Sequence, residues 1–259
     1  MYVLESDHEA LRLEKQNKIS LYSIAEEIKE IDFYDDEKIA DIGCGTCGLS
    51  SEIIYKNSNV SITAIDQSEI RLQQAKKIIN PNHLKNIDFV HADIMRDKLK
   101  TDSFNTVVNR FVLHHVEQPK ELLSSMYRIL DDGGRLITID SDGILFNYYS
   151  SNKWVMKKLD LIKKSFKIDM YIGRKLRSYY HDLGLKNVDV RMIPMHFTGQ
   201  ELISEVEQYQ DRFKFMKKIF DKILGQQDNL RFKTEYLDDL RTGKAELFYN
   251  KFIVQGFKL

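Results

Sequence analysis

Apolar and polar positions follow an ordered beat along the 259 residues. Between residues 8 and 31, Leu11, Ile19, Tyr22, Ile24, Ile28 and Ile31 recur at steps of three and four among charged neighbours, which is the spacing of one helix face. A short apolar run around Lys38-Ile39-Ala40 follows, then a helical stretch from Leu49, then Val60-Ser61-Ile62-Thr63-Ala64-Ile65, then a helix over Ile70 to Ile79. The beat continues through Ile87-Asp88-Phe89-Val90, Phe104-Asn105-Thr106-Val107-Val108, a helix from Pro119 to Leu130, and Arg135-Leu136-Ile137-Thr138-Ile139. Short apolar runs taking turns with amphipathic stretches predict βαβ units and a mainly parallel sheet. Pro119 suits the first turn of its helix, and Asp131-Asp132-Gly133-Gly134 predicts a left-handed stop before the next strand.

From Gly143 the rhythm changes. A helical tract from Asn152 to Phe166 precedes a helix over Ile172 to Leu183, a strand at Val188 to Ile193, more helix from Glu201 to about Leu240, and a last strand, Glu246 to Phe257. The helical insertion between the last two strands, roughly 50 residues, exceeds what a plain connection requires and reads as a lid over the sheet. With no internal repeat and no low-complexity linker, the expected organisation is a helical cap over 1–35, a ligand-binding α/β core over 36–143, and lid insertions plus the last two strands over 144–259.

Composition narrows the function. Lys and Arg number 39, as do Asp and Glu, so the chain lacks the general basic footprint of a duplex-binding protein. Residues 153 to 191 are locally basic, with eleven Lys or Arg against four Asp or Glu; such a stretch attracts an anionic substrate, a carrier-protein surface or RNA, or is simply a solvated helix face. No apolar run approaches the ~20 residues of a membrane span and no signal-like segment opens the chain, which predicts a cytoplasmic location. Cys44 and Cys47, the only cysteines, form a CxxC that suits a redox pair or half a zinc site. Without a second cysteine pair or an HExxH, the expectation is no metal, and two small residues in a tight loop.

That loop is where chemistry concentrates. Ile39-Ala40-Asp41-Ile42-Gly43-Cys44-Gly45-Thr46-Cys47-Gly48 places GxGxxG after a strand and at the opening of a helix, where glycines let a ligand approach bare backbone. An ordinary βα turn has the same look. Asp66 ends the second strand about 20 residues on, where a doubly wound fold sets the carboxylate that accepts ribose hydroxyls. So far a dinucleotide fits equally, which makes an NAD-linked oxidoreductase the first alternative. Asp41 weighs against it, because a carboxylate beside the glycines repels a pyrophosphate and welcomes a sulfonium or an ammonium. Asp93 can accept from the exocyclic amine of adenine or can cap a helix, with Ile94 and Met95 offering apolar surface; Gln67 lies beside the presumed adenosine, and Ser68 predicts a helix N-cap.

The ordered series Asp41 to Gly48, Asp66, His91-Ala92-Asp93, Asn109-Arg110-Phe111-Val112-Leu113-His114-His115-Val116 and Leu130 to Ile137 resembles class I S-adenosylmethionine (AdoMet)-dependent methyltransferases of the small-molecule type. The resemblance implies a doubly wound, seven-stranded, mainly parallel sheet of order 3-2-1-4-5-7-6 with the last strand antiparallel. It further implies that Asp41, Gly43 and Gly45 line the methionine end, Asp66 holds the ribose, Ala92 and Asp93 meet adenine, and Asn109 lies beneath the methionyl group. AdoMet would be the cofactor and S-adenosylhomocysteine (AdoHcy) its product. Where the family usually has glycine, this chain has Cys47, so either the loop tolerates a small side chain or Gly48 takes over part of the role.

Methyl transfer to oxygen or nitrogen is an in-line displacement governed by positioning and water exclusion. His114, His115 and Glu117, after the fourth strand, are candidates for a base, the alternative for the histidines being packing and loop hydrogen bonds. Tyr2, Glu9, Arg12 and Gln16 sit on the leader that folds over the cofactor in similar enzymes, or on a solvated helix face. Tyr148 and Tyr149 suit the wall of an acceptor site, whereas Trp154 reads as lid core and His181 as a surface residue. The expected partner is a small-molecule acceptor, and the aromatic helices after Gly199 leave room for a homodimer. Two further rivals stand beside the oxidoreductase. One keeps AdoMet without transferring its methyl. The other is a macromolecular methyltransferase or a noncatalytic binding module, which the lack of an appended RNA-binding domain and of an NPPY-like motif, here Asn109-Arg110-Phe111-Val112, disfavours.

Overall fold

In the computed structural model, which describes residues 19–97 and 99–259, alternate residues of each central strand face opposite sides of one sheet. Ile39, Val108, Ile137 and Ile139 enter one apolar cluster with Leu49, Ile53 and Ile54 of the helix Gly48–Lys56 and Leu72 and Ala75 of the helix Glu69–Ile78. Ala40, Val107 and Leu136 enter a second cluster with Leu122, Leu123, Met126 and Ile129 of the helix Pro119–Ile129. Burial on both faces is why these strands read as near-continuous apolar runs. Ser68 caps its helix as expected, accepting from Arg71 N–H at 3.4 Å, and Pro119 occupies a first-turn position.

The strands are β1 (Lys38–Ile42), β2 (Ser61–Asp66), β3 (Ile87–His91), β4 (Phe104–Arg110), β5 (Leu130–Asp142), β6 (Tyr148–Ser150), β7 (Lys186–His196) and β8 (Ala245–Phe257). β1 pairs in parallel with β2 and β4, β2 with β3, and β4 with β5, in the order β3-β2-β1-β4-β5-β8, with β7 also on β8. The end of β8 meets the start of β5: Gly133 N–H donates to Lys258 C=O at 2.6 Å and Lys258 N–H to Gly134 C=O at 2.9 Å. This is the mainly parallel, doubly wound class expected, with one correction. The sheet has eight strands, because β6 pairs antiparallel with Ala245–Leu247.

Two compact units emerge. The larger comprises the described residues of 24–142, 171–193 and 251–259, the smaller 19–23, 143–170 and 194–250, and β7 and β8 each contribute residues to both. Within the smaller unit, the helices Lys153–Ser165, Gly199–Phe215, Lys217–Leu224 and Gln226–Arg241 enclose aromatic side chains, with Phe213 edge-on to Phe220, Phe232 and Tyr236. Glu205 is fully buried there, accepting from Tyr22 at 2.9 Å, Tyr249 at 2.8 Å and Arg212; burial and this carboxylate push the Tyr22 hydroxyl up to about 12.

Several boundaries differ from expectation. β5 begins at Leu130, so Asp131 to Gly134 lie within the strand instead of ending the helix. The tract after Glu201 breaks at Met216 and Gly225, the latter at φ +81°, a conformation that suits a residue without Cβ. Of the helix read over 8–31, the described part holds a 3-10 turn at Ser20–Tyr22 and a helix at Ile24–Ile28. Tyr2, Glu9, Arg12 and Gln16 lie outside the described residues. Among the described residues no helix is long and apolar enough to cross a membrane, and no group of three His, Cys, Asp or Glu side chains is placed to hold a metal.

Candidate functional site

The carboxyl ends of β1, β2 and β4 lie side by side along one edge of the larger unit's sheet. The glycine loop is sewn to β2, with Gly43 and Cys44 N–H both donating to Ile65 C=O at 2.8 and 3.2 Å. Gly43 and Gly45 take positive φ, +66° and +55°. Their demands otherwise differ. A Cβ on Gly43 would stand 2.7 Å from Val112 Cγ2, so the chain leaving β4 forbids one, whereas a Cβ on Gly45 would meet nothing within 4 Å. Cys47 itself takes the left-handed conformation, φ +58°, at the N-cap of Gly48–Lys56, which answers the departure from the family's glycine: this residue, and not Gly48, bears the strain.

Two carboxylates flank the loop. Asp66 accepts Gly45 N–H on Oδ2 and Ser68 N–H on Oδ1, each at 2.9 Å. Asp41 is 1% exposed and receives the Ser50 hydroxyl at 2.5 Å. Burial raises its pKa to about 6, the Ser50 bond opposing, with the Asp66 charge adding and Arg110 lowering.

Farther along the edge, Ala92 N–H donates to Asp66 C=O at 3.1 Å, and His91 Nε2 lies 3.1 Å from Gln67 C=O. Asp93 caps the following turn, accepting Met95 N–H at 3.0 Å on Oδ1, while Oδ2 pairs with Arg96 at 3.3 Å. Asn109 is fully buried, donating to Thr138 Oγ1 at 2.9 Å, which also receives the Tyr180 hydroxyl at 2.8 Å; its own Oδ1 has no partner among the described residues. The structure thus brings Asp41, Gly43, Gly45, Asp66 and Gln67 to one rim, with Ala92 and Asp93 beside it and Asn109 within the sheet below.

After β4, Phe111 sits at φ +57°, strained for a bulky residue, and Leu113–His115 forms a 3-10 turn. Asp140, fully buried in β5, accepts Leu113 N–H at 2.9 Å, His114 N–H at 3.4 Å and Ser141 N–H at 2.7 Å, and lies 2.6 Å from His114 Nδ1. That contact places the proton on Nδ1 and leaves Nε2 the basic nitrogen. His114 is buried; His115 is half-buried, its ring 4.0 Å from that of His114.

Sequence reasoning missed Asp140 and a second cluster. Buried Glu27 pairs with Arg110 at 2.5 Å and Lys251 at 2.7 Å, and the Arg110 guanidinium lies 4.5 Å from the Phe111 ring centre. Arg174 grips Asp142 at the end of β5, Nη2 to Oδ1 at 2.6 Å. The signal for Asp140 and Asp142 was present, as carboxylates at alternate positions where an apolar strand ends. In the smaller unit Tyr148 is buried and stacked on Tyr236 at 3.9 Å, Tyr149 faces solvent, and Trp154 is half-buried with the Arg231 guanidinium 4.1 Å from its ring centre. His181 is exposed on its helix.

Residues 34–181, more than half of the chain, match the profile of the methyltransferase domain family. The chain belongs to this family. Among curated members, the mitochondrial ubiquinone biosynthesis O-methyltransferase of Schizosaccharomyces pombe is 32% identical over 127 residues, 48% of this chain and 45% of that one. The ubiquinone/menaquinone biosynthesis C-methyltransferase UbiE of Ruegeria is 23% identical over 151 residues, 55% and 60% of the two chains. The chain spans about half the length of the relatives it matches. Among solved structures, a protein of Bacillus halodurans C-125 described as a methyltransferase superposes with TM-score 0.59 at 16% identity, covering 91% of this chain and 98% of that one. A phosphoethanolamine N-methyltransferase 2 of Haemonchus contortus, complexed with phosphomonomethylethanolamine and AdoHcy, gives TM-score 0.54 at 14% identity over 96% of this chain and 52% of its own. These structural likenesses carry the fold, and the family match carries the class.

Proposed function

We propose that this methyltransferase-family protein binds AdoMet at the rim formed by the glycine loop and Asp66, and transfers the methyl group to a nucleophilic atom of a small molecule. The observation that carries the reading is Asp41, a buried carboxylate bonded by the Ser50 hydroxyl and backbone yet raised by burial to about 6, beside bare backbone at Gly45. A carboxylate whose charge burial disfavours is stabilised by a cation next to it, and the sulfonium and ammonium of AdoMet fit where a pyrophosphate does not. The residues suit the rest of the cofactor as well: Asp66 ends β2 beside the glycine loop, where a carboxylate can accept ribose hydroxyls, and the Asp93 turn lies where adenine would be met.

When bound, AdoMet supplies an electrophilic methyl on a sulfonium centre. The chain's own residues hold the reacting groups in line and exclude water. Asp140 fixes the turn that carries both histidines and sets the His114 tautomer; half-buried His115 is the one able to reach an acceptor and take its proton. Relatives that methylate oxygen and carbon leave the accepting atom open among oxygen, nitrogen and carbon. The working location is assigned to the cytoplasm.

Calorimetry with AdoHcy and, separately, NAD tests the cofactor. AdoHcy binding at micromolar concentration with no NAD heat is the expected result; the reverse moves the protein to the oxidoreductases, and silence from both at millimolar concentration ends the proposal. Product mass then separates methylation, which adds one methyl to the acceptor, from rearrangement, which adds nothing.

A further inference from the structure

We propose that Cys44 and Cys47 form an oxidisable dithiol, whose conversion to a disulfide by a small-molecule disulfide weakens cofactor binding at the loop that carries them. This rests on the assignment of that loop to AdoMet. The two are the chain's only cysteines, both are free, and both are buried in the same apolar cluster. Cys47 N–H donates to Cys44 C=O at 2.8 Å, closing the four residues as a turn. Such a turn brings its first and fourth Cα within about 7 Å, and a disulfide spans Cα separations of about 4.4–6.8 Å, so the bridge needs little backbone movement. The Cys44 thiol donates to Gly45 C=O at 4.0 Å, inside the turn, and the Cys47 thiol is close enough to raise its pKa. Cys47 meanwhile holds a left-handed conformation that glycine would occupy without strain.

The reaction balances simply. The Cys44 thiolate attacks one sulfur of the small disulfide and expels a thiolate; the Cys47 thiolate then attacks the mixed disulfide at Cys44 and expels the second. Two protein thiols are oxidised to one cystine, and one disulfide is reduced to two thiols. The neighbouring Cys47 thiol, then burial and the Asp41 and Asp66 charges, hold the Cys44 thiol well above its ordinary range, so oxidation is slow at neutral pH and accelerates as pH rises. Closing the bond draws the two Cβ atoms to about 3.8 Å and locks the turn that holds Gly45, so even a small adjustment there bears on the Gly45 N–H bond to Asp66.

The test uses the full chain, reduced or treated with oxidised glutathione, with intact mass reporting loss of two hydrogens and calorimetry measuring AdoHcy affinity. The reduced protein should bind, and the oxidised protein should bind about tenfold more weakly or worse, reversibly with a thiol reductant. By reciprocity, saturating AdoHcy should raise the dithiol midpoint potential by about 30 mV for each tenfold. Cys44→Ala/Cys47→Gly, which can form neither the bridge nor a mixed disulfide, should show the same affinity with and without oxidant. Failure of the bridge to form, a bridge without change in affinity, or an oxidant effect persisting in Cys44→Ala/Cys47→Gly overturns the proposal. A reduced protein that ignores AdoHcy overturns the cofactor assignment first, and this inference with it.

Discussion

Two chain segments leave the carboxyl edge of the sheet side by side, the glycine loop after β1 and the turn after β4, and each is anchored by a carboxylate buried in a strand. Asp140 accepts three backbone N–H groups and faces the His114 ring nitrogen, so the protein itself supplies what a buried charge needs. Asp41, equally buried, receives the Ser50 hydroxyl and is pushed up to about 6. Desolvated carboxylates are costly unless paired or hydrogen-bonded. The contrast therefore separates a carboxylate that organises the fold from one that burial leaves raised and that the proposed AdoMet cation would stabilise.

The sharpest break of that contrast is Asp140→Ala. It leaves the Leu113 N–H and the His114 ring without their acceptor, and removal of one partner from a buried charged network costs about 3 kcal/mol or more. Melting should drop by roughly 6–12 °C for a chain of this size. A variant that melts within about 2 °C of the parent would show that the turn after β4 does not depend on Asp140.

Asp41→Asn should behave in the opposite way. Because the folded state raises the Asp41 pKa from 3.8 to about 6, the native protein binds that proton more tightly than the unfolded chain. Stability is therefore greatest below about 4, falls as pH rises from about 4 to 6, and remains lower above. Asparagine, which still accepts from Ser50, removes this loss. The variant should gain up to roughly 3 kcal/mol over the parent at pH 7 and nothing at pH 4, measured by denaturant unfolding at both values. The same substitution should weaken AdoMet more than tenfold, since a charged partner contributes about 1.5–3 kcal/mol. In the parent, binding near pH 6 should release a proton, visible as a calorimetric heat that changes with buffer. A variant with no gain at pH 7, or with unchanged affinity, would place Asp41 in the same class as Asp140.

How far all this could be read from the chain follows from the range of the interactions. The βα alternation, the Ser68 cap and the convergence of Asp41, Gly43, Gly45 and Asp66 come from local periodicity and turn chemistry, which the sequence writes within some 25 residues. Asp140 is 26 positions from His114, and Glu27 is 83 from Arg110. Such pairs are defined by which strands become neighbours, and no spacing rule reports them. The smaller unit was least legible for the same reason: Glu205 meets Tyr22 and Tyr249 across 183 and 44 residues. A three- and four-step apolar pattern over 201–240 shows helix but not its breaks, even though Gly225 marks one of them.

The two segments touch at Gly43 and Val112, and there the smallest of these effects can be isolated. Both Gly43→Ala and Gly45→Ala force a Cβ onto positive φ, a strain of about 1 kcal/mol. Gly43→Ala adds a clash with Val112 at 2.7 Å, whereas Gly45→Ala adds a methyl to open space at the proposed cofactor rim. The first should therefore lose stability beyond the shared strain, by roughly 1 kcal/mol, and the second should lose AdoHcy affinity instead. Val112→Ala in the Gly43→Ala background should recover most of that additional loss, giving a coupling of about 1 kcal/mol in a double-mutant cycle. Coupling near zero would mean that the loop yields to the added methyl, and that the turn after β4 does not brace the glycine loop.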